Sequence, residues 1–268
     1  MSKWFVSILS SLLILTNTAW ANQYKMTYDV YASGFHVVEA TMEMDFKKDD
    51  HYNTNIFTTT RGFLKKLAPW TGTFYAEGLI QDNNHFQPTL HRAVATWRGE
   101  EEVTEYKYTQ DGSFVSYKQV EEGVDKTPKE IDSKLTDNTT DIVSSILNTM
   151  ARIESLEACE SESEIFDGKR RYKLKFSPIE KVNLSSSRYN IFEGEAFKCT
   201  AEVEPKGGKW HKKPRGWLSI QEQGREKGKL PTIWMGKPKG VDRYVPVKVL
   251  VKTEYGTLFL HLTGAEKI

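Results

Sequence analysis

From residue 22 to about residue 122, apolar and polar side chains alternate with the period of two that turns one side of a β-strand to a core and the other to water. Tyr24, Met26, Tyr28 and Val30 share one face of a first strand, and Lys25, Thr27 and Asp29 share the other. Ser33-Gly34 turns the chain, and FHVVEATMEMDF (35–46) returns as a second strand. A polar turn at 47–50 leads into a third, YNTNIFTTTR (52–61), rich in β-branched residues. Further strands are predicted at 71–80, 90–97, 102–109 and 113–120, with turns at Asp82-Asn83-Asn84, Arg98-Gly99 and Asp111-Gly112. Strands in such close succession predict a sandwich, a barrel or a strongly curved sheet.

Two stretches break the alternation. GFLKKLAPW (62–70) places Phe63, Leu64, Leu67 and Trp70 on one face of a short helical turn that Pro69 stops. Residues 137–159 are the only long segment with a helical period: Ile142, Val143, Ile146, Leu147, Met150 and Ile153 line one face. Asp137 and Asn138 stand before this run as start signals, with Asp141 in the first turn, so a helix is predicted over about 138–157. A charged linker (121–136) precedes it. Beyond it, Asp167-Gly168 turns a hairpin whose return strand sets Tyr172, Leu174 and Phe176 on one face. Strands follow around 187–192, 196–203, 216–222, 232–234, 243–253 and 257–262. A meander needs cover for its apolar face, and the helix supplies it. The expectation is one β-rich domain over 22–268, all-β with one central helix; the alternative is a cut near residue 130.

The first residues change the setting. Lys3, a short apolar run to Leu15 and Ala19-Trp20-Ala21 form the grammar of a signal peptide over 1–21, cleaved after Ala21. The apolar run is shorter than the ~20 residues that span a bilayer. The expected location is the periplasm. Losing the leader removes one lysine from 37 basic residues and none of the 36 acidic ones, leaving zero net charge. Such a chain has no global field for nucleic acid. Cys159 and Cys199 both lie in the exported part, and an oxidising compartment favours their pairing over free thiols.

The residues that would carry catalysis are not arranged in any familiar order. G-x-S-x-G, H-E-x-x-H, C-x-x-C and the phosphate-binding G-x-x-x-x-G-K-[ST] are all missing. Ser144 and Ser145 have no local histidine and suit helix packing. The histidines are scattered, and His85 and His91 fit exposed strand positions better than a metal site. The expectation is a protein that is not an enzyme, with no cofactor and no metal.

Order and spacing of several motifs give a resemblance. Asp137 with the Ile142–Leu147 helix, the F-D-G-K-R-R-Y run from Phe166 to Tyr172 with Cys159 before it, Cys199 after Gly194-Glu195-Ala196, the Y-x-V-Y-x-x-G-F opening from Tyr28 to Phe35, and V-P-V-K at 245–248 together resemble domain-of-unknown-function family 3108 of proteobacterial envelope proteins. The likeness spans nearly the whole exported chain. It implies a long curved antiparallel sheet, a half-barrel or β-spiral wrapped on the helix, similar to periplasmic lipoprotein carriers. It implies no activity.

Two groups of residues suit a ligand. Phe63, Leu64, Leu67, Trp70, Phe74 and Trp97 could sit at a cavity mouth, or simply close the core. The stretch 206–239 holds ten basic residues against Glu222 and Glu226, with Trp210, Trp217 and Trp234 interleaved. Lys209, Trp210, Lys212 and Lys213 there suit an anionic headgroup, or else belong to solvated hairpin loops. The leading expectation is a non-enzymatic binder of a hydrophobic or amphipathic envelope ligand, a lipid or lipoprotein-like component, with peripheral membrane contact and no nucleic acid. The alternative is an envelope-integrity interaction protein with no small ligand. They differ on one point. If Ile142, Ile146, Met150 and Ile153 fill the concave face, no ligand fits; if an apolar pocket of a few hundred Å³ remains, one does.

Overall fold

The computed structural model describes residues 22–46, 50–210, 218, 221–222, 225, 230–253 and 256–268. The chain opens with β1 (Gln23–Ala32), β2 (Phe35–Asp45) and β3 (His51–Thr60), then helix α1 (Gly62–Leu67). Next come β4 (Trp70–Gln81), a 3-10 turn, β5 (His85–Trp97), β6 (Glu100–Tyr108), β7 (Phe114–Glu121) and the short β8 (Val124–Asp125). Helices α2 (Ser133–Thr136) and α3 (Ile142–Leu156) lead to β9 (Ser161–Phe166), β10 (Arg170–Leu184), β11 (Gly194–Gly208), β12 (Thr232–Gly236), β13 (Val245–Thr253) and β14 (Gly256–Lys267).

Among the described residues, all the strands join one antiparallel sheet of 14, in the order β8-β7-β6-β5-β4-β3-β2-β1-β14-β13-β12-β11-β10-β9. Two meanders thus meet where β1 pairs with β14. Of the sandwich, barrel or curved sheet that the alternation allows, this is the curved sheet, wrapped on a helix as the family resemblance implies. Strand β9, at one end of the sheet, meets β6 and β7, near the other end, without a ladder. Phe166 of β9 packs edge-on against Tyr106, Phe114 and Tyr117 of β6 and β7. A lone parallel bridge ties Thr140 to Ile165. The barrel is therefore closed by side chains at a seam and stays open as a sheet.

The inward row of each strand makes the core. Tyr24, Met26 and Tyr28 of β1 and Met42 and Met44 of β2 are buried, and they pack with Val245, Val247 and Leu262 from the far meander. Helix α3 lies against this face, burying Val143, Leu147, Met150 and Ile153. Its cap is Asp141, which accepts hydrogen bonds from the backbone N–H groups of Val143 and Ser144. The start signals at Asp137 and Asn138 serve something else: Asp137 ends α2, and Asn138 turns the chain at φ 55°. All five residues from Asp137 to Asp141 have capping chemistry, and it is Asp141 whose carboxylate meets the first N–H groups of the helix. At the exit, Cys159 is bonded to Cys199 on the inner face of β11, 40 residues on, tying helix to sheet.

Two strand expectations fail. The residues at 185–193 cross the sheet as a loop, with Asn190 Nδ2 donating to the Val247 carbonyl and the Ile191 N–H to that of Leu262. Within 216–222, Leu218, Gln221 and Glu222 are helical, and the rest lies outside the described residues. At the described end of the second stretch, the Gln221 side chain meets the Val203 backbone on the uncovered edge of β11, accepting from its N–H and donating to its carbonyl, in place of a backbone ladder.

Candidate functional site: two chambers beside the helix

Helix α3 does not fill the sheet. Met150 and Ile153 are buried, but Ile142 and Ile146, nearer its start, are only half-buried. They form one wall of a cavity of about 500 Å³. Its other walls are Tyr172, Leu174 and Phe176 of β10, Ala201 and Val203 of β11, Ile233 of β12 and Pro246 and Val249 of β13. Trp210, Leu218 and Pro231, from the connection between β11 and β12, close its side. The alternation of these strands explains the lining, since Tyr172, Leu174 and Phe176 are spaced by two and share a face.

A second cavity of about 480 Å³ adjoins the first. Phe74, His91, Ala93, Ala95, Thr104 and Tyr106 line it from one meander, and Lys169, Arg170 and Lys209 from the other. Ile142, Asp167 and Arg170 belong to both cavities, so they form the partition. That partition is well held. Asp167 accepts from the backbone N–H groups of Lys169 and Arg170 and takes the Arg170 guanidinium at Nε, 2.8 Å, and Nη2, 2.6 Å. Arg170 also lies over the Trp210 indole, 4.8 Å from its centre. Gly168 permits the turn: at φ 86° it faces the Tyr117 ring, where an added Cβ would come within 2.5 Å.

Beneath the second cavity a polar group is buried among aromatics. Asp141 stands 3.3 Å from His91 Nδ1, near enough for charge but not aligned as a hydrogen bond. Burial pushes the Asp141 carboxyl up, but His91 and the Ser144 hydroxyl and N–H outweigh it and hold its pKa below the ordinary carboxylate value. Ser144 Oγ in turn meets the Tyr52 hydroxyl at 2.6 Å. His91, read from sequence as an exposed strand histidine, is buried, because the inner row of β5 carries it under α3. The serine donates to the carboxylate and not to the histidine, so this is no nucleophile relay.

The residues singled out from sequence divide into two places. Lys209 lines the second cavity and Trp210 the first. Lys212 and Lys213 lie outside the described residues. Phe63 and Leu67 project from α1, exposed, while Leu64 is half-buried beneath them, so the shared face expected of 62–70 divides. Trp70 begins β4 and pairs directly with Trp97 of β5. By alternation Trp97 follows Ala93 and Ala95, which line the second cavity, but neither indole is part of that lining. Sequence reasoning missed Lys169 and Arg170 as cavity residues, although both lie in the F-D-G-K-R-R-Y run. Their signal was the charge packed between a turn and an apolar strand face.

A wider groove of about 1130 Å³ at the other end of the barrel is lined by Asp45, Glu77 and Asp111. Each carboxylate is engaged, by Gln23, Tyr75 and Thr109 respectively, so the groove has less unspent chemistry than the two chambers.

Fold and chambers define a helix-cored, barrel-like protein with an apolar compartment behind a charged one. The chain belongs to the DUF3108 family, described as proteins of unknown function, whose model matches residues 23–263. Among solved structures it is similar to a beta-barrel-like protein of domain of unknown function DUF1849 from Brucella abortus, with 12% identity, 91% of this chain and 97% of that one covered, and a TM-score of 0.47. No curated protein matches the chain.

Proposed function

We propose that the protein is a non-enzymatic binder of an amphipathic cell-envelope ligand, exported to the periplasm by its leader. The observation that carries this reading is the apolar cavity beside Ile142 and Ile146, within the ~300–1,000 Å³ range of small-molecule sites. The half-burial of those isoleucines favours a ligand over an interaction protein whose helix occupies the whole concave face. The adjoining charged chamber suits the polar end of the same molecule.

The end of the sheet at which these chambers lie also supports contact with a bilayer. Consecutive antiparallel strands put the β1–β2 turn, α1, the β5–β6 turn, the β9–β10 turn and the end of β11 together. Phe35, Phe63, Leu67 and Trp97 are exposed there, with Lys65, Lys66 and Arg98 among them. Apolar side chains interleaved with cations suit an anionic membrane surface. Among the described residues, no helix is long and apolar enough to cross a membrane.

Native mass spectrometry of protein recovered from the periplasm, with extraction of bound lipid, tests the ligand. One co-purifying amphiphile per chain is expected, and its loss in Ala201→Trp, which fills the cavity. Recovery of no lipid, with no mass shift on adding phospholipid, would sink the proposal.

A further inference from the structure

Resting on the amphiphile-binding reading above, we infer that the ligand has a single hydrocarbon chain and an anionic head, a carboxylate or a phosphate, held by Lys169 and Lys209. The chain count follows from volume. At roughly 30 Å³ per methylene, a volume close to the share of a water in the liquid, the apolar cavity of about 500 Å³ matches one chain of about sixteen carbons.

The sign of the head follows from which charges are spent. Arg170 is committed to Asp167 and to the face of Trp210. Glu102 on the opposite wall accepts from the neutral Gln119 amide at 2.8 Å and keeps its charge, so the lining sets three cations, Lys169, Arg170 and Lys209, against two carboxylates, Asp167 and Glu102. Lys169 and Lys209 both line the charged cavity, and among the described residues neither ammonium is in an ion pair. The backbone holds them side by side, the Lys209 N–H donating to the Lys169 carbonyl at 3.1 Å. Two cations with no ion pair among the described residues therefore stand next to the partition through which a chain would pass into the apolar cavity. An anion there forms ion pairs as well as hydrogen bonds with the ammonium groups, whereas a neutral head offers only hydrogen bonds and a cationic head is repelled.

The test titrates purified protein with palmitate, palmitoyl lysophosphatidate, hexadecanol, hexadecyltrimethylammonium and shorter fatty acids, alongside native mass spectrometry for stoichiometry. One palmitate per chain is expected, bound about tenfold tighter than the cationic amphiphile, since two rim ion pairs each change affinity by a few-fold. Affinity should rise roughly fourfold per methylene and level off near sixteen carbons. Lysophosphatidate outranking palmitate would assign the head to phosphate, and the reverse to carboxylate. The double variant Lys169→Glu with Lys209→Glu should reverse the preference between anion and cation. If that variant fails to fold, added salt must weaken wild-type binding of palmitate and leave hexadecanol unchanged. Equal affinity for all three head charges overturns the anionic assignment while leaving an apolar ligand site. Two palmitates per chain overturn the single-chain assignment. Failure of every alkyl probe removes the amphiphile-binding reading itself.

Discussion

His91 Nδ1 faces Asp141 Oδ1 across 3.3 Å, with both residues shut off from solvent at the start of the central helix. One comes from the inner row of β5 and the other from the cap of α3, so this contact fastens the helix to the first meander. Asp141 serves twice, as cap and as charge.

Asp141→Asn keeps an oxygen for the cap but loses the charge, and at pH 7 it should cost about 2 kcal/mol, as for hydrogen bonds to a buried charged group. The sign with pH follows from the depressed pKa. A carboxylate held below its ordinary value contributes stability above about pH 4 and loses it as the pH falls through the folded value. Urea titrations of wild type and variant should therefore converge as the pH drops below 4; a constant gap would contradict the assignment.

The Cys159–Cys199 bond closes a separation of 40 residues. In the chain-entropy model such a loop is worth about 4 kcal/mol. Replacing both cysteines by alanine should lower the melting temperature by roughly 10 °C. Denatured, unreduced protein should show no free thiol in a colorimetric assay, and a full complement of thiols there would remove the staple.

Ile153 and Ile146 occupy the same apolar face of α3 but differ in surroundings. Ile153 has no exposure, so Ile153→Ala should cost about 3 kcal/mol or more. Ile146 borders the cavity, and Ile146→Ala should cost about 1 kcal/mol, since little packing is lost. Chemical denaturation of the two variants separates them; equal losses would mean that the cavity is collapsed in solution.

Phe63 and Leu67 are 49% and 64% exposed, so replacing both by serine should leave stability within about 0.5 kcal/mol. The same pair of changes should reduce co-sedimentation with vesicles containing phosphatidylglycerol several-fold. Wild-type protein that does not sediment with such vesicles would end the proposal of membrane contact.

Much of this architecture is local and therefore legible in the sequence. Alternation at Tyr24, Met26 and Tyr28 or at Tyr172, Leu174 and Phe176 announces a strand face because successive side chains must point to opposite sides. The 3.6-residue spacing from Ile142 to Ile153 announces a helix for the same geometric reason. Two cysteines in a chain whose first residues read as a leader announce a bond. Which of the neighbouring capping residues starts α3 was not legible, because Asp137, Asn138 and Asp141 have similar local chemistry. Nor was the cavity. Ile142, Ile146, Met150 and Ile153 are equivalent along the helix, and only the path of the sheet decides which are covered. That path depends on the pairing of β1 with β14 and on the aromatic seam between Tyr117 and Phe166. Those contacts join residues far apart in the chain, and they alone bring Lys169 and Lys209 to face His91 across one chamber.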